Sequence, residues 1–500
     1  MRLYTQGGDC RKLPTGPKSR VCALGIALLT TFPPAHAQRP LDVELLSTLS
    51  SLPHSQTAAA ACVIDLRTKQ TVFDFHADRP LIPASTSKLF TMAAGLAELG
   101  PEFTFETLFA TDRQNLYVIG DGDPGLGDER LARQRNENVD TVLHQWSDAA
   151  LAHGVTTLPG DLVIDESIFD DQRIHPSWEP ADLGKWYAAP VGGLNFNDNC
   201  VDITVHPGPR PGDPVLVSVT PDAPIVEIIN ECRTGDGTPL LHHPPLTTTY
   251  KITGRCNKTW PFGSVAFPDP GALFADALRA MLARRGVILQ GHIRRARVRQ
   301  AGGEPPSALT ILGRHRTPMT DVLARIGKNS QNLFAECLLK RAGYRWARRH
   351  GHSDPAGSWA VGANAVAEML NRAGIVRDGL VVADGSGLSR DNTCTARQLV
   401  ELLTWASAQR WAAVFHDSLA EAGSDGSLQK RLRDAPGHVF AKTGTMRGVR
   451  ALAGYVDDDR GPRYAFAILF NNYPGPSTPY KRIQDDICRA LIDVEPASNR

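Results

Sequence analysis

The chain has 500 residues, more than one hydrophobic core usually fills, so two or three domains are the starting expectation. Its 42% hydrophobic and 21% charged fractions are those of ordinary globular protein, and its 44 Gly and 36 Pro mark turns, not low-complexity disorder. A formal charge of +1 gives no electrostatic reason to expect nucleic acid or an acidic membrane as partner.

At the N-terminus, Lys18 and Arg20 precede an apolar run over 21–32, followed by Pro33-Pro34 and Ala35-His36-Ala37. A basic stretch, a short apolar stretch and an Ala-x-Ala site predict a secretory signal peptide over 1–37, cleaved after Ala37. The run is too short for a permanent span, so no stable membrane anchor is expected and the mature protein should be periplasmic or otherwise extracytoplasmic. Cys22 opens the apolar run instead of following it, which argues against a lipoprotein site. Of nine cysteines, Cys10 and Cys22 fall in the leader; Cys200, Cys232 and Cys256 share one segment that a disulfide between two of them could pin. Their spacing does not resemble a zinc site, and neither metal nor any other cofactor is required.

Segments 58–65 and 71–75 read as two strands of a hairpin. Pro83 then precedes Ser85-Thr86-Ser87-Lys88, after which Leu89, Phe90, Met92, Ala93, Leu96 and Leu99 recur at helical spacing up to Gly100-Pro101. This predicts a helix of about four turns with Ser85 in its first turn. From 104 to 307 the texture changes to Pro, Gly and short alternating runs (116–119, 161–164, 201–205, 248–252), which predicts a β-rich insertion of one or more domains. Helical patterns follow at 320–341, 363–373 and 395–406, then strand patterns at 438–444, 449–456 and 463–470. Ile483, Ile487, Ala490 and Leu491 outline a last helix. Strand pairs at both chain ends commonly meet in one sheet. The expected fold class is therefore α+β and multi-domain, with one domain built from 38–103 and 308–500 around the insertion.

Three motifs occur in order: Ser85-Thr86-Ser87-Lys88, Ser330-Gln331-Asn332 and Lys442-Thr443-Gly444-Thr445. A serine hydroxyl is a weak nucleophile until a base takes its proton. Positions i and i+3 of a helix share a face, so Lys88 can reach Ser85. A lysine acts as base only when burial or a neighbouring cation lowers its pKa, and Lys442 could be that cation, with Ser330 relaying a proton toward the leaving amine. An edge strand carrying Lys442 to Thr445 could pair with an extended substrate, Gly444 allowing close approach. Backbone N–H groups of Ser85 and Thr445 would form the oxyanion hole. Ser-x-x-Lys alone carries little weight, since Ser427-Leu428-Gln429-Lys430 repeats it; that copy leaves no room for a Ser-x-Asn motif before the Lys-Thr-Gly strand and reads as a surface helix. His175, His242 and His243 read as isolated loop histidines, Asp457 to Asp459 as a solvated hairpin tip, and Trp178 and Trp186 as packing residues, with carbohydrate stacking as the other reading.

The ordered triplet is that of serine β-lactamases and penicillin-binding proteins. Together with the stretches 81–89, 384–390 and 441–445, and with Gly122-Asp123-Pro124 and Asp165-Glu166-Ser167-Ile168-Phe169, it resembles the D-alanyl-D-alanine carboxypeptidase/endopeptidase family, the class C low-molecular-mass penicillin-binding proteins (peptidase S13). The resemblance implies a β-lactamase/transpeptidase-like domain, an antiparallel sheet flanked by helices, split by a long insertion; Ser330 here follows Ser85 by 245 residues. It implies a serine-type hydrolase that cleaves peptidoglycan stem peptides and cross-links through an acyl-enzyme and is inhibited by β-lactam antibiotics. In that family pattern Ser85 is nucleophile, Lys88 base, Ser330 and Asn332 relay and position, and Lys442 supplies charge. Thr443 and Thr445 hold the terminal carboxylate. Arg390 would bind the side-chain carboxylate of diaminopimelate, and Asp165 would reach into the site for its amine. Gln331 departs from the family's usual Asp. Two other readings share the motifs: a β-lactamase, and a non-catalytic β-lactam or muropeptide sensor.

Overall fold

The computed structural model describes residues 40–300 and 303–493; the expected leader lies outside the described residues. The two ends of the described chain meet in one sheet. Its antiparallel strands run in the order Ala420–Glu421, Val439–Met446, Val449–Asp458, Gly461–Asn471, Ala58–Asp65 and Thr71–Phe75. Register places Ala58 against Asn471 and Asp65 against Tyr464, so the first long strand lies inside the sheet, not at its edge.

The period-2 alternation of a strand assigns the two faces. Ala58, Ala60, Cys62, Ile64, Ala465, Ala467 and Leu469 pack into one core; Ala59, Ala61, Val63, Phe466, Ile468 and Phe470 pack into another. The first face, rich in alanine, receives the helices Lys88–Leu99 and Ala396–Ala406, with Asn332–Arg349 packed behind. The second receives Leu41–Ser50 and Thr478–Ile492. Burial on both faces explains why the strand is apolar from Ala58 to Ile64. Local signals fix the helix ends: Thr395 and Gln398 form a capping box ahead of Ala396–Ala406, and Gly374 closes Trp359–Ala373 with a φ of 71°.

Residues 104–318 carry four further sheets. One has five strands in the order Ile293–Arg295, Leu162–Asp165, Leu116–Ile119, Thr104–Thr111 and Thr310–Pro318; a second has four, with Arg233–Thr234, Pro239–His242 and Glu227–Asn230 all paired to Thr249–Cys256; a third has three, Trp260–Ala266, Cys200–His206 and Leu216–Thr220; the last pairs Thr157–Leu158 with Ile288–Leu289. A separate core fills this part: Phe109 stacks on Trp146 at 5.1 Å, and Trp146 and Phe196 meet Phe274 edge-on. The seven described cysteines are buried free thiols, and no disulfide links Cys200, Cys232 or Cys256.

Three sequence expectations change. The helix pattern over 320–341 is two helices, Met319–Gly327 and Asn332–Arg349, parted by a turn in which Ser330 has a φ of 59°. Ser85 precedes its α-helix, in a 3₁₀ turn over Ala84–Ser87. The second Ser-x-x-Lys lies at the surface, with Ser427, Gln429 and Lys430 exposed, but not as an α-helix. It begins in a 3₁₀ turn over Gly426–Leu428, which sinks Leu428 into the core and brings the Ser427 hydroxyl to 3.0 Å from that of Thr443.

Candidate active site

Three elements converge on one cleft of about 600 Å³. The turn before Lys88–Leu99 brings Ser85, the break between Met319–Gly327 and Asn332–Arg349 brings Ser330 and Asn332, and the strand Val439–Met446 brings Thr445. The turn under Ser85 is tightly constrained. Ala84 sits at a φ of 46°, unusual for a residue with a Cβ, and Thr86 Oγ1 donates back to the Pro83 carbonyl at 2.8 Å. Gly444 lets this turn dock, since a Cβ there would lie 2.6 Å from the Pro83 oxygen. Its smallness thus serves the nucleophile turn, not only the approach of a substrate.

Lys88 is fully buried. Its Nζ lies 3.1 Å from Ser85 Oγ, 2.6 Å from Asn332 Oδ1 and 2.6 Å from the Ser386 carbonyl oxygen. The two carbonyl-type oxygens can only accept, so a neutral Lys88 spends its two N–H groups on them and turns its lone pair to the Ser85 hydroxyl, which then donates. The Asn332 amide is oriented by its Nδ2, which donates to the Tyr187 carbonyl at 2.7 Å. Burial pushes the Lys88 ammonium down to about 8 against the opposing pull of Glu336 and Asp384. Burial, and not the neighbouring cation suggested by the sequence, is the leading cause.

Lys442 is also fully buried and donates to Ser330 Oγ at 2.8 Å and to the Thr443 carbonyl at 2.9 Å. Burial first, then Lys88 and Arg450, hold it well below the ordinary lysine range. Gln331 caps the following helix: its Oε1 accepts from Asn332 N at 2.9 Å and its Nε2 donates to Asp198 at 2.8 Å. An aspartate at 331 would face Asp198 as a like charge, so the amide fits this neighbour. The two-residue strand Ala420–Glu421 covers Phe440 and Ala441 only, which leaves the strand edge open from Lys442 onward.

Behind these residues are two carboxylates that the sequence reading did not single out as functional. Glu336 is fully buried and accepts from the backbone N–H groups of Gly385 and Ser386, both at 2.8 Å, and from Trp359 at 2.7 Å. Asp384 accepts from Gly387 N at 2.7 Å, Ser389 N at 2.6 Å, Asn392 at 2.8 Å and Trp178 at 2.9 Å. Together they fix the loop that gives Lys88 its Ser386 carbonyl. Glu336 lies four residues after Asn332 on one helix, a spacing that could have marked it.

Arg390 lines the cleft; it donates to Glu179 at 3.0 Å and to the Arg447 carbonyl at 2.7 Å. Asp165 does not reach the cleft. It ends a strand of the insertion, is fully buried, and accepts from the backbone N–H groups of Ser167, Val298 and Arg299 at 2.7–2.8 Å. Its two oxygens are occupied in joining insertion segments to each other. The insertion instead contributes Glu179, Asp182, Tyr187 and Trp186 to the cleft wall, the last 46% exposed and not the packing residue its sequence context suggested; Trp178 is buried.

A profile of the D-Ala-D-Ala carboxypeptidase 3 (S13) family matches residues 41–491. The chain is 33% identical over 461 residues to the D-alanyl-D-alanine carboxypeptidase of Actinomadura sp. (strain R39), covering 86% of this chain and 80% of that relative. It is 26% identical to the D-alanyl-D-alanine carboxypeptidase DacB of Haemophilus influenzae over 82% of this chain and 84% of that protein. The crystal structure of penicillin binding protein 4 from Haemophilus influenzae superposes with a TM-score of 0.73 at 24% identity, over 90% of this chain and 99% of that one; the same protein is also known in complex with a β-lactam. With Ser85, Ser330, Asn332 and Thr445 lining one cleft, Lys88 and Lys442 hydrogen-bonded behind the two serines, and the profile spanning nearly all of the described chain, this protein belongs to the D-Ala-D-Ala carboxypeptidase 3 (S13) family and is a hydrolase.

Proposed function

We propose that this protein is an exported serine peptidase that cleaves D-alanyl peptide bonds of peptidoglycan through an acyl-enzyme on Ser85. The observation that carries the reading is the placement of Lys88 Nζ between Ser85 Oγ and two oxygens that can only accept. In the first step neutral Lys88 takes the Ser85 proton as Oγ attacks the D-alanyl carbonyl carbon. The charge on the carbonyl oxygen is met by the backbone N–H groups of Ser85 and Thr445. Ser330, hydrogen-bonded to Lys442, passes a proton to the departing nitrogen, which leaves as the amine of D-alanine or of a cross-linked peptide. Water then enters by the reverse course and frees Ser85. Thr443 and Thr445 hold the terminal carboxylate. Arg390 reads the carboxylate of a diaminopimelate side chain, and Asp182, on the insertion's side of the cleft, reads its amine.

A β-lactam presents the same reactive carbonyl, so a labelled penicillin should attach at Ser85, and purified protein should release D-alanine from peptides ending in D-alanyl-D-alanine. Ser85→Ala should abolish both while leaving the thermal midpoint in place. Label recovered on Ser427, or rapid penicillin turnover without D-alanine release, would overturn the reading.

A further inference from the structure

Arg450 occupies an unusual position for a cation. It lies directly across from Thr445 in the antiparallel pair formed by Val439–Met446 and Val449–Asp458, and it is only 6% exposed. Among the described residues no carboxylate stands within ion-pair distance of it, and its Nε has no hydrogen-bond partner. The charged groups that face it are mostly of its own sign. Arg431 is already matched by Asp485 at 2.7 Å, and Lys481 on the last helix is itself held down chiefly by Arg450. Burial, then Arg431, lower the guanidinium's hold on its proton to about 10. A buried cation without a counter-ion costs stability, and a perturbed charge beside a cleft marks a candidate functional site.

Its one described side-chain hydrogen bond points to where that anion goes. Arg450 Nη1 donates to Thr445 Oγ1. A guanidinium has no acceptor, so the Thr445 hydroxyl accepts from it and its single proton is free to turn into the cleft, which Thr445 lines. The hydroxyl thus presents a donor to a substrate anion and relays the charge behind it. We propose that Arg450 is a positioning and specificity-determining residue. Acting through Thr445, it selects leaving groups that carry a carboxylate on the carbon bonded to the scissile nitrogen. The inference rests on the peptidase reading above and deepens it: D-alanine meets the requirement, and so does the D-centre of a diaminopimelate cross-link.

The test compares two peptides ending in D-alanyl-D-alanine, one with a free terminal carboxylate and one with a terminal carboxamide, by their ratio of kcat/KM. Arg450→Gln keeps a donor for Thr445 but no charge, and should lower the ratio at least about tenfold, the scale of one charge-assisted hydrogen bond. Arg450→Lys keeps the charge and should restore most of the ratio. In a Thr445→Val background, which lowers the ratio by itself, Arg450→Gln should lower it little further. Arg450→Met, which exchanges a buried charge for an apolar chain, replaces the glutamine variant if that one does not fold. Equal losses on both peptides would make Arg450 a scaffold residue and overturn the proposal. So would an Arg450→Gln effect that persists in full without the Thr445 hydroxyl. If the native protein cleaves neither peptide, the peptidase reading fails; if it cleaves both and Arg450→Gln leaves the ratio unchanged, only the role of Arg450 fails.

Discussion

Lys88 reaches a pKa of about 8 because burial outweighs the pull of Glu336 and Asp384 toward the charged form, and the sign of the consequence follows. The base must be neutral, and its neutral fraction grows as pH rises. Acylation by penicillin, measured as second-order rate against pH, should therefore climb through about 8 and level off above it. Lys88→Arg keeps a cation but cannot lose its proton, and should be nearly inactive at every pH. Arg390 and Asp165 make a second contrast. Arg390→Ala should cost about 1.5–3 kcal/mol in kcat/KM on diaminopimelate-containing peptides and little on penicillin. Asp165→Ala should leave that selectivity alone but lower unfolding free energy by about 1–3 kcal/mol, because buried N–H groups lose their acceptor. At this scale the motif residues were legible because chemistry restricts them to few residue types at fixed spacings. Asp165 was misplaced because a strand-end aspartate that binds a ligand and one that staples three backbone amides look alike in sequence. Arg450 was invisible, being an ordinary residue of an apolar strand until its partner across the sheet is known.

The elements themselves were read well where one physical signal dominates. Strands 58–65, 71–75 and 116–119 agree residue for residue, since a short apolar run ending in charge marks the first and alternation marks the other two. The break before Asn332 was missed because apolar spacing continues across it and Ser330 adopts a left-handed conformation without being glycine. That break is where the function sits: a continuous helix would carry Ser330 and Asn332 on the turn of a rod, unable to face Lys442 and Lys88 separately. The nucleophile turn shows similar constraint. Gly387, with a φ of 78°, would place a Cβ 2.0 Å from the Ala84 carbonyl oxygen, and Gly444 crowds the Pro83 oxygen from the other side. Gly444→Ala must push backbone, not a flexible side chain, and should cost about 1–3 kcal/mol in stability by overpacking. Its penicillin acylation should fall by more than the shift in thermal midpoint explains, because the displaced atoms carry Ser85. Unaltered acylation in a folded Gly444→Ala would show that the turn has room to adjust.

For the whole molecule, a split α+β architecture was legible from strand patterns at both ends and a change of texture between them. What composition could not supply is the use of the insertion. Its Tyr187 carbonyl orients Asn332, its Asp198 anchors Gln331, and its Glu179 holds Arg390, so the inserted segment aligns groups on three sides of the cleft.

The strand Ala58–Asp65 pairs along its whole length with Gly461–Asn471, a partner about four hundred residues further along the chain. A polypeptide made or exported from its N-terminus therefore delivers Ser85 and Lys88 long before the strands that complete their sheet and before Lys442. Contacts so distant in sequence form late and slowly. The order of emergence is a form of containment: the chain should remain unable to attack a peptide bond until nearly its last segment has arrived. A chain ending after residue 448, which retains every motif residue but lacks the two strands 449–458 and 461–471, should take up no labelled penicillin, whereas the full chain refolded from denaturant should regain labelling only as fast as its central sheet closes.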